Sequence, residues 1–355
     1  TDALLGRVPR RRGLTRAVLD LAAGRPTWRF GLRETGAMRR ALGRGWDVAV
    51  VQAPTDSDGD GGSASDEAIA AARGAEVYVG WGVPLPVVRA ATDSLRWAHT
   101  ASVGVGAALT PAFLATGALL TNGRGILDEP MADWVLAAMG VCLRGFLPAI
   151  AARQDGRWIK DAFTDGSIRP REFAGTRVGL VGLGGVGSAV ARRAHRLGME
   201  VRAVRRRRDG RRPAGVRWGG GPTQLGTLAA RSDVLVLAAP ATAITRTLVE
   251  AEALDRLPHG AYLINVARGS LVDERAVVAR LTTGQLAGYV TDVAGEEPPR
   301  RESPLWTHPG VLITPHVSGV TPAYQARATA LIVDNLQRYR RGRRLRNVVD
   351  LAAGY

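Results

Sequence analysis

Gly182, Gly184 and Gly187 stand in a G-x-G-x-x-G arrangement inside the segment VGLVGLGGVGSAVARRAHRLGMEV. In a chain with 44 glycines the spacing alone would mean little, and its surroundings carry the reading. A β-branched run, Arg177–Val181, precedes the glycines, an Ala-rich stretch, Ser188–Leu197, follows, and Glu200–Val204 reads as the next strand. In such a strand–turn–helix unit Gly182 permits the tight turn and Gly184 lets the backbone approach a pyrophosphate. Gly187 lets the helix lie against the strand, and the amides of Gly185 and Val186 open the helix toward the phosphates. The end of the second strand reads Ala203–Val204–Arg205–Arg206–Arg207–Arg208, with no carboxylate to meet both ribose hydroxyls. Guanidinium groups pair with a phosphate through a bidentate fork, so Arg205 and Arg206 favour NADP(H) over NAD(H).

Three later segments are more specific: INVARGSLVDE (264–274), TDVAGEEPPRRESPLW (291–306) and LITPHVSGVT (312–321). Together with LRWAHTASVGV from residue 95, this ordered set resembles the D-isomer-specific 2-hydroxyacid dehydrogenase family, which includes glyoxylate/hydroxypyruvate reductases and phosphoglycerate dehydrogenases. The resemblance covers about residues 95–321, is thinner over 28–94 and is absent from the first 25 residues. It implies that Arg268 holds a 2-oxo acid, that Glu297 and His316 form the catalytic pair, and that Asp292 meets the nicotinamide carboxamide. The cofactor-binding set also takes in Pro240, Val266, Ala267 and Gly319. The turn Ser102–Gly106 resembles the one whose amides bind the substrate carboxylate, which makes Gly104 and Val105 candidates. Gly106 stands where the family usually has an acid, Ala294 where it often has an aromatic, and Asp133 where it has glutamate; these departures bear on substrate size and loop rigidity.

The residue types suit that chemistry. Reducing a 2-oxo acid needs a hydride at the carbonyl carbon and a proton at its oxygen. His316 titrates near neutrality and can supply the proton, and a neighbouring Glu297 would favour and orient the imidazolium. Arg268 offers a planar fork to a carboxylate or a carbonyl oxygen as charge develops on it. The expected reaction is NADPH-dependent reduction of a small 2-oxo acid, such as glyoxylate or hydroxypyruvate, to its D-2-hydroxy acid. Two alternatives stand beside it: 3-phosphoglycerate as substrate, and an NAD(P)-sensing interaction protein of the corepressor type.

The elements that must position these groups alternate between strand-like and helix-like runs, which predicts α/β architecture. Asp47–Gln52, Glu76–Gly80, Leu95–Thr100 and Ala118–Thr121 read as strands of a first sheet, with helices at Asp66–Arg73 and Pro86–Ala91. Arg177–Val181, Glu200–Val204, Asp233–Ala239, Tyr262–Ala267, Gly288–Val293 and Val311–Thr314 read as six strands of a second, with a helix at Asp273–Thr282. The fold expected is two doubly wound parallel-sheet domains. A flavodoxin-like substrate domain would comprise 1–124 plus 322–355, with 1–25 as a basic N-terminal leader, and a Rossmann dinucleotide-binding domain would span 125–321. Hinges would lie near Gly123–Gly125 and Thr321, with substrate in the intervening cleft. Met131, Trp134, Val135, Ala138, Met139, Cys142, Leu143 and Phe146 form an apolar stripe on one helix, as core or as a dimer seam. Cys142 is a packing residue in it; His195, His259 and His308 read as helix or loop residues, and His99 as a candidate cleft residue. Thr55–Ser65 reads as a surface loop.

The formal net charge of +16 over 355 residues is the remaining feature. Of 48 basic residues only Lys160 is a lysine, a compositional bias that marks a solvated, Arg-rich surface and not a nucleic-acid partner. One cysteine forms no internal disulfide, and no apolar run of about 18 residues is present for a membrane span. The expectation is therefore a cytoplasmic homodimer acting on a small molecule, with no metal, membrane or nucleic-acid partner.

Overall fold

The computed structural model describes residues 14–54, 63–206 and 212–355. The chain divides into two compact units: the residues up to Leu127 with Thr321–Tyr355, and Asp128–Val320. The first contains the parallel strands β1 (Thr15–Asp20), β2 (Trp46–Val50), β3 (Val77–Gly80), β4 (Trp97–Thr100) and β5 (Leu119–Asn122) in the order β2-β1-β3-β4-β5. That order is flavodoxin-like. Successive side chains serve opposite faces. Ala17, Leu19, Val77, Val79 and Trp97 pack with Met38 and Leu42 of helix Leu32–Leu42 and with Ile332 and Leu336 of helix Tyr324–Arg340. Val18, Tyr78, Ala98 and Leu120 pack against Ala68, Val87, Val88 and Phe113 from three shorter helices.

The expected leader is corrected here. Thr15–Asp20 is strand β1, hydrogen-bonded to both β2 and β3, so at least that part of 1–25 is central core. The arginines around it suggested a solvated arm, but Ala17, Val18 and Leu19 are fully buried. Burying an aliphatic side chain the size of valine or leucine is worth about 1.5–3 kcal/mol, enough to decide the local structure. Residues 1–13, and most of the expected loop Thr55–Ser65, lie outside the described residues. His99 is corrected too. It is fully buried in β4 with Nδ1 2.8 Å from Thr121 Oγ1, and burial depresses its pKa to about 3.

The second unit has seven parallel strands, one more than expected. They are β6 (Arg177–Val181), β7 (Glu200–Val204), β8 (Val216–Gly220), β9 (Val234–Leu237), β10 (Ala261–Asn265), β11 (Leu286–Thr291) and β12 (Val311–Ile313). Their order is β12-β11-β10-β9-β6-β7-β8, a doubly wound sheet whose strand order reverses between β6 and β9. The unexpected β8 is an edge strand ending in Gly219–Gly220, a composition that carries little strand signal. The apolar stripe lies mainly on helix Asp128–Leu143, where Val135, Ala138, Met139, Cys142 and Leu143 pack into the core with helix Gly185–Arg196. Phe146 belongs to the next helix, Phe146–Gln154, and is 52% exposed. Among the described residues no single helix is long and apolar enough to cross a membrane.

Candidate functional site

The chain leaves β6 through Gly182, whose φ of 101° lies in the region that favours glycine. A Cβ there would stand 2.5 Å from the Ala238 carbonyl oxygen, because the turn crosses the end of β9. A Cβ on Gly187 would overlap the Gly182 carbonyl, so this residue lets the helix close on the strand. Gly184, by contrast, has ordinary angles (φ −78°, ψ −153°), and a Cβ on it would meet nothing within 4 Å. Protein packing does not require glycine at that position. The first-turn amides of Gly185, Val186 and Gly187 begin helix Gly185–Arg196, and such amides have no carbonyl within their own helix. The cradle therefore fits a pyrophosphate. One neighbour was not foreseen: a Cβ on Gly185 would overlap the Asp128 carboxylate, which brings an acid to the mouth of the cradle.

At the next strand end Arg205 donates its amide to the Gly220 carbonyl at 3.0 Å and Arg206 is exposed. Arg207 and Arg208 lie outside the described residues. Pro240 follows β9, exposed, and accepts a hydrogen bond from Thr245 Oγ1 at 2.8 Å. Val266 and Ala267 follow β10 and are buried, with the Ala267 amide donating to Asn265 Oδ1 at 3.0 Å. These positions share the carboxyl edge of the sheet, where doubly wound folds bind ligands.

The same edge holds Arg268, Glu297 and His316. Arg268 is half-buried on extended backbone (φ −148°, ψ 145°), held by Asn265 Nδ2 donating to its carbonyl at 3.0 Å. Glu297 accepts the Ala294 amide at Oε1, 3.0 Å, and faces His316 Nδ1 with Oε2 at 2.7 Å. That carboxylate, by hydrogen bond and charge, raises the His316 pKa against partial burial and the nearby Arg268 charge. Partial burial would raise the Glu297 pKa, but the His316 and Ala294 hydrogen bonds and the charges of His316 and Arg268 hold it below its ordinary value. Both shifts favour an imidazolium–carboxylate pair that leaves His316 Nε2 as the proton-bearing nitrogen away from Glu297.

His316 sits at φ 56°, a left-handed conformation uncommon outside glycine. Such a residue costs about 1–3 kcal/mol and persists only where its surroundings overdetermine it. Here Asp292 overdetermines it. Its carbonyl accepts the His316 amide at 2.9 Å, and its carboxylate accepts Thr314 Oγ1 at 2.5 Å and the amides of Val317 and Ser318 at 2.8 and 2.7 Å. The resemblance gives Asp292 to the nicotinamide carboxamide; in the structure this buried side chain braces the loop that presents His316, ahead of the partly buried Gly319. Gly104 and Val105 belong to the other unit, in a turn held by Ser102 Oγ donating to the Gly104 carbonyl at 2.8 Å and by Asn122 Nδ2 donating to the Val103 carbonyl at 2.7 Å.

Sequence reasoning did not single out Asp128, Thr314 or Glu274, whose carboxylate accepts the Gly295 amide at 2.6 Å. An acid or threonine at an element end reads as a cap, and only the fold shows the second partner.

The profile described as "D-isomer specific 2-hydroxyacid dehydrogenase, NAD binding domain" matches residues 136–318. The glyoxylate/hydroxypyruvate reductase B of Pectobacterium carotovorum subsp. carotovorum is 33% identical over 242 residues, 68% of this chain and 75% of that protein. A D-isomer specific 2-hydroxyacid dehydrogenase from Xanthobacter autotrophicus Py2, solved with NADPH and MES, superposes with a TM-score of 0.77 at 29% identity, covering 97% of this chain and 100% of that one. An NADPH-dependent glyoxylate/hydroxypyruvate reductase from Sinorhizobium meliloti, solved with NADP and sulfate, gives a TM-score of 0.75 at 25% identity over 96% of this chain and 100% of that one.

Proposed function

The chain belongs to the D-isomer-specific 2-hydroxyacid dehydrogenase family, whose members are NAD(P)-dependent oxidoreductases, and from that premise we propose that it reduces a small 2-oxo acid of the glyoxylate or hydroxypyruvate type to the D-2-hydroxy acid, using NADPH. The observation that carries this reading is His316 Nδ1 at 2.7 Å from Glu297, with the Arg268 charge close enough to act on both. Arg268 binds the substrate's carboxylate or carbonyl oxygen through its guanidinium fork, polarising the carbonyl as its oxygen gains charge. His316 gives its Nε2 proton to that oxygen, and Glu297 holds the imidazolium in place until the transfer and orients the neutral ring afterwards. A reduced nicotinamide, when bound, supplies the hydride for the carbonyl carbon. In the oxidative direction His316 takes the proton back.

The cofactor would lie with its pyrophosphate on the amides of Gly185, Val186 and Gly187, approached across Gly184, and with Pro240, Val266, Ala267, Asp292 and Gly319 along the nicotinamide side. Arg205 and Arg206 supply the positive charge for a 2′-phosphate, and the solved relatives bound to NADPH or NADP support that preference. The assembly we propose is a homodimer. The Met131–Leu143 stripe is spent on this chain's own core, so the seam would use the exposed Phe146, Ile150 and Trp158, the last 91% exposed. A panel of 2-oxo acids, each assayed with NADPH and NADH, tests the reading. The expected result is turnover of glyoxylate or hydroxypyruvate with the higher kcat/KM for NADPH. Equal or better efficiency with NADH overturns the cofactor assignment, and no turnover of any acid overturns the activity.

A further inference from the structure

We propose that Glu274 is a positioning residue for this reaction: its carboxylate fixes the peptide turn that carries Glu297, and through Glu297 it sets His316. The inference rests on the functional reading above and adds a residue to it. Glu274 is the first residue of helix Glu274–Thr282, where an acid ordinarily serves the helix N-terminus. That duty is already met, because the Asp273 side chain accepts the amides of Arg275 and Ala276 at 3.0 and 3.1 Å. Glu274 instead reaches to a loop 21 residues further on, where its Oε1 accepts the Gly295 amide at 2.6 Å. The amide immediately before it, that of Ala294, is the one that donates to Glu297 Oε1 at 3.0 Å. Two successive amides of one turn are therefore held by two different carboxylates.

The same turn is closed from the other side by the neighbour of Arg268. A Cβ on Gly269 would overlap the Ala294 carbonyl group and the Gly295 nitrogen, so the backbone there is packed flat against that peptide. The neighbour of Arg268 and the Glu297 carboxylate, from positions 29 apart in sequence, thus meet two adjoining peptides of one turn. With the Gly295 amide released, that peptide keeps only its packing against Gly269, and the adjoining Val293–Ala294 peptide, whose amide orients Glu297, loses its support across the Ala294 Cα. Glu297 has its second oxygen on His316, so the pairing there loosens in consequence. The clamp holds an acid in an unfavourable place. Partial burial raises the Glu274 pKa despite the Gly295 hydrogen bond, and the charges of Asp273 and Glu297 add to the rise. Arg246 and Arg275 line the same groove.

The test compares Glu274→Ala, Glu274→Asp and Glu274→Gln in the full chain. Glutamine keeps an acceptor for the Gly295 amide without the charge; aspartate keeps the charge but is one methylene short. The expected result is a kcat at least fivefold lower in the Ala and Asp variants, with KM for NADPH unchanged and at least half of wild-type kcat in the Gln variant. A smaller loss in both of the first two, or no recovery with Gln, overturns the proposal. Titration of His316 by carbon-edited NMR needs no substrate and separates this inference from the functional reading. Wild type and Glu274→Gln should titrate above the ordinary histidine value, and Glu274→Asp should fall toward it. An Asp variant that titrates as wild type does overturns the role of Glu274. A wild type that turns over no 2-oxo acid overturns the activity, and the titration still decides whether Glu274 positions the pair.

Discussion

Replacing Glu297 with glutamine isolates the electrostatic half of the proposed Glu297–His316 pair, since the side chain keeps its shape and loses its charge. Across the 2.7 Å from Oε2 to His316 Nδ1, two unit charges screened as in bulk water attract by about 1.5 kcal/mol. The side chains are 48% and 36% exposed, and ordering an exposed pair costs part of that gain. About 1 kcal/mol is the appropriate figure after that discount, on the order of fivefold in an equilibrium. The sign follows from the direction of each shift. His316 has its pKa raised in the folded protein, so its protonated form is fully present at acid pH and is lost as pH rises through that raised value. Removing the Glu297 charge moves the loss to lower pH. Steady-state reduction of glyoxylate, followed from pH 5 to 9, should therefore give equal kcat/KM for wild type and Glu297→Gln at the acid end. The variant should fall about fivefold behind at the alkaline end. A deficit of the same size at every pH would refute the electrostatic reasoning and leave Glu297 a purely steric guide; no deficit at any pH would refute the pairing itself.

Three further outcomes follow from the same geometry. Gly184→Ala should keep the wild-type melting temperature within about 1 °C while weakening NADPH binding roughly tenfold. Gly182→Ala, forced to φ 101° against the Ala238 carbonyl, should lose about 2 kcal/mol or more of stability in urea melts; equal behaviour of the two variants would count against the cradle. Asp128→Asn removes a negative charge at Gly185 and should lower the Kd for NADPH about three- to tenfold by fluorescence titration, where an unchanged or larger Kd would show that this acid does not face the phosphates. Arg268→Ala should raise KM for the 2-oxo acid and lower kcat, together on the order of a hundredfold in kcat/KM. Lysine should restore little, because a point charge cannot reproduce a planar fork; full recovery with Lys would refute bidentate binding.

How much of this was legible in the sequence differs from element to element. The phosphate turn could be read in detail, because Gly182 and Gly187 are imposed by short-range sterics that the spacing encodes. Most strands of the second sheet announced themselves as apolar runs, as strands buried on both faces must. Strand β1 did not, since arginines crowd its approach. Strand β8 did not, because an edge strand rich in glycine has little to bury. Arg268, Glu297 and His316 stood out only as an ordered set. Their supporting acids, Asp292 over the His316 loop and Glu274 over the Gly295 amide, take their roles from neighbours brought in by the fold. A residue's local context says which cap it could be; the long-range partner decides what it does.

The most direct measurement is NADPH consumption by the purified chain with glyoxylate and with hydroxypyruvate, wild type beside His316→Ala. Steady turnover is expected in the wild type, with a loss of about 10²–10⁴ in kcat for the variant and NADPH binding retained. A variant that keeps wild-type turnover would overturn the role proposed for His316.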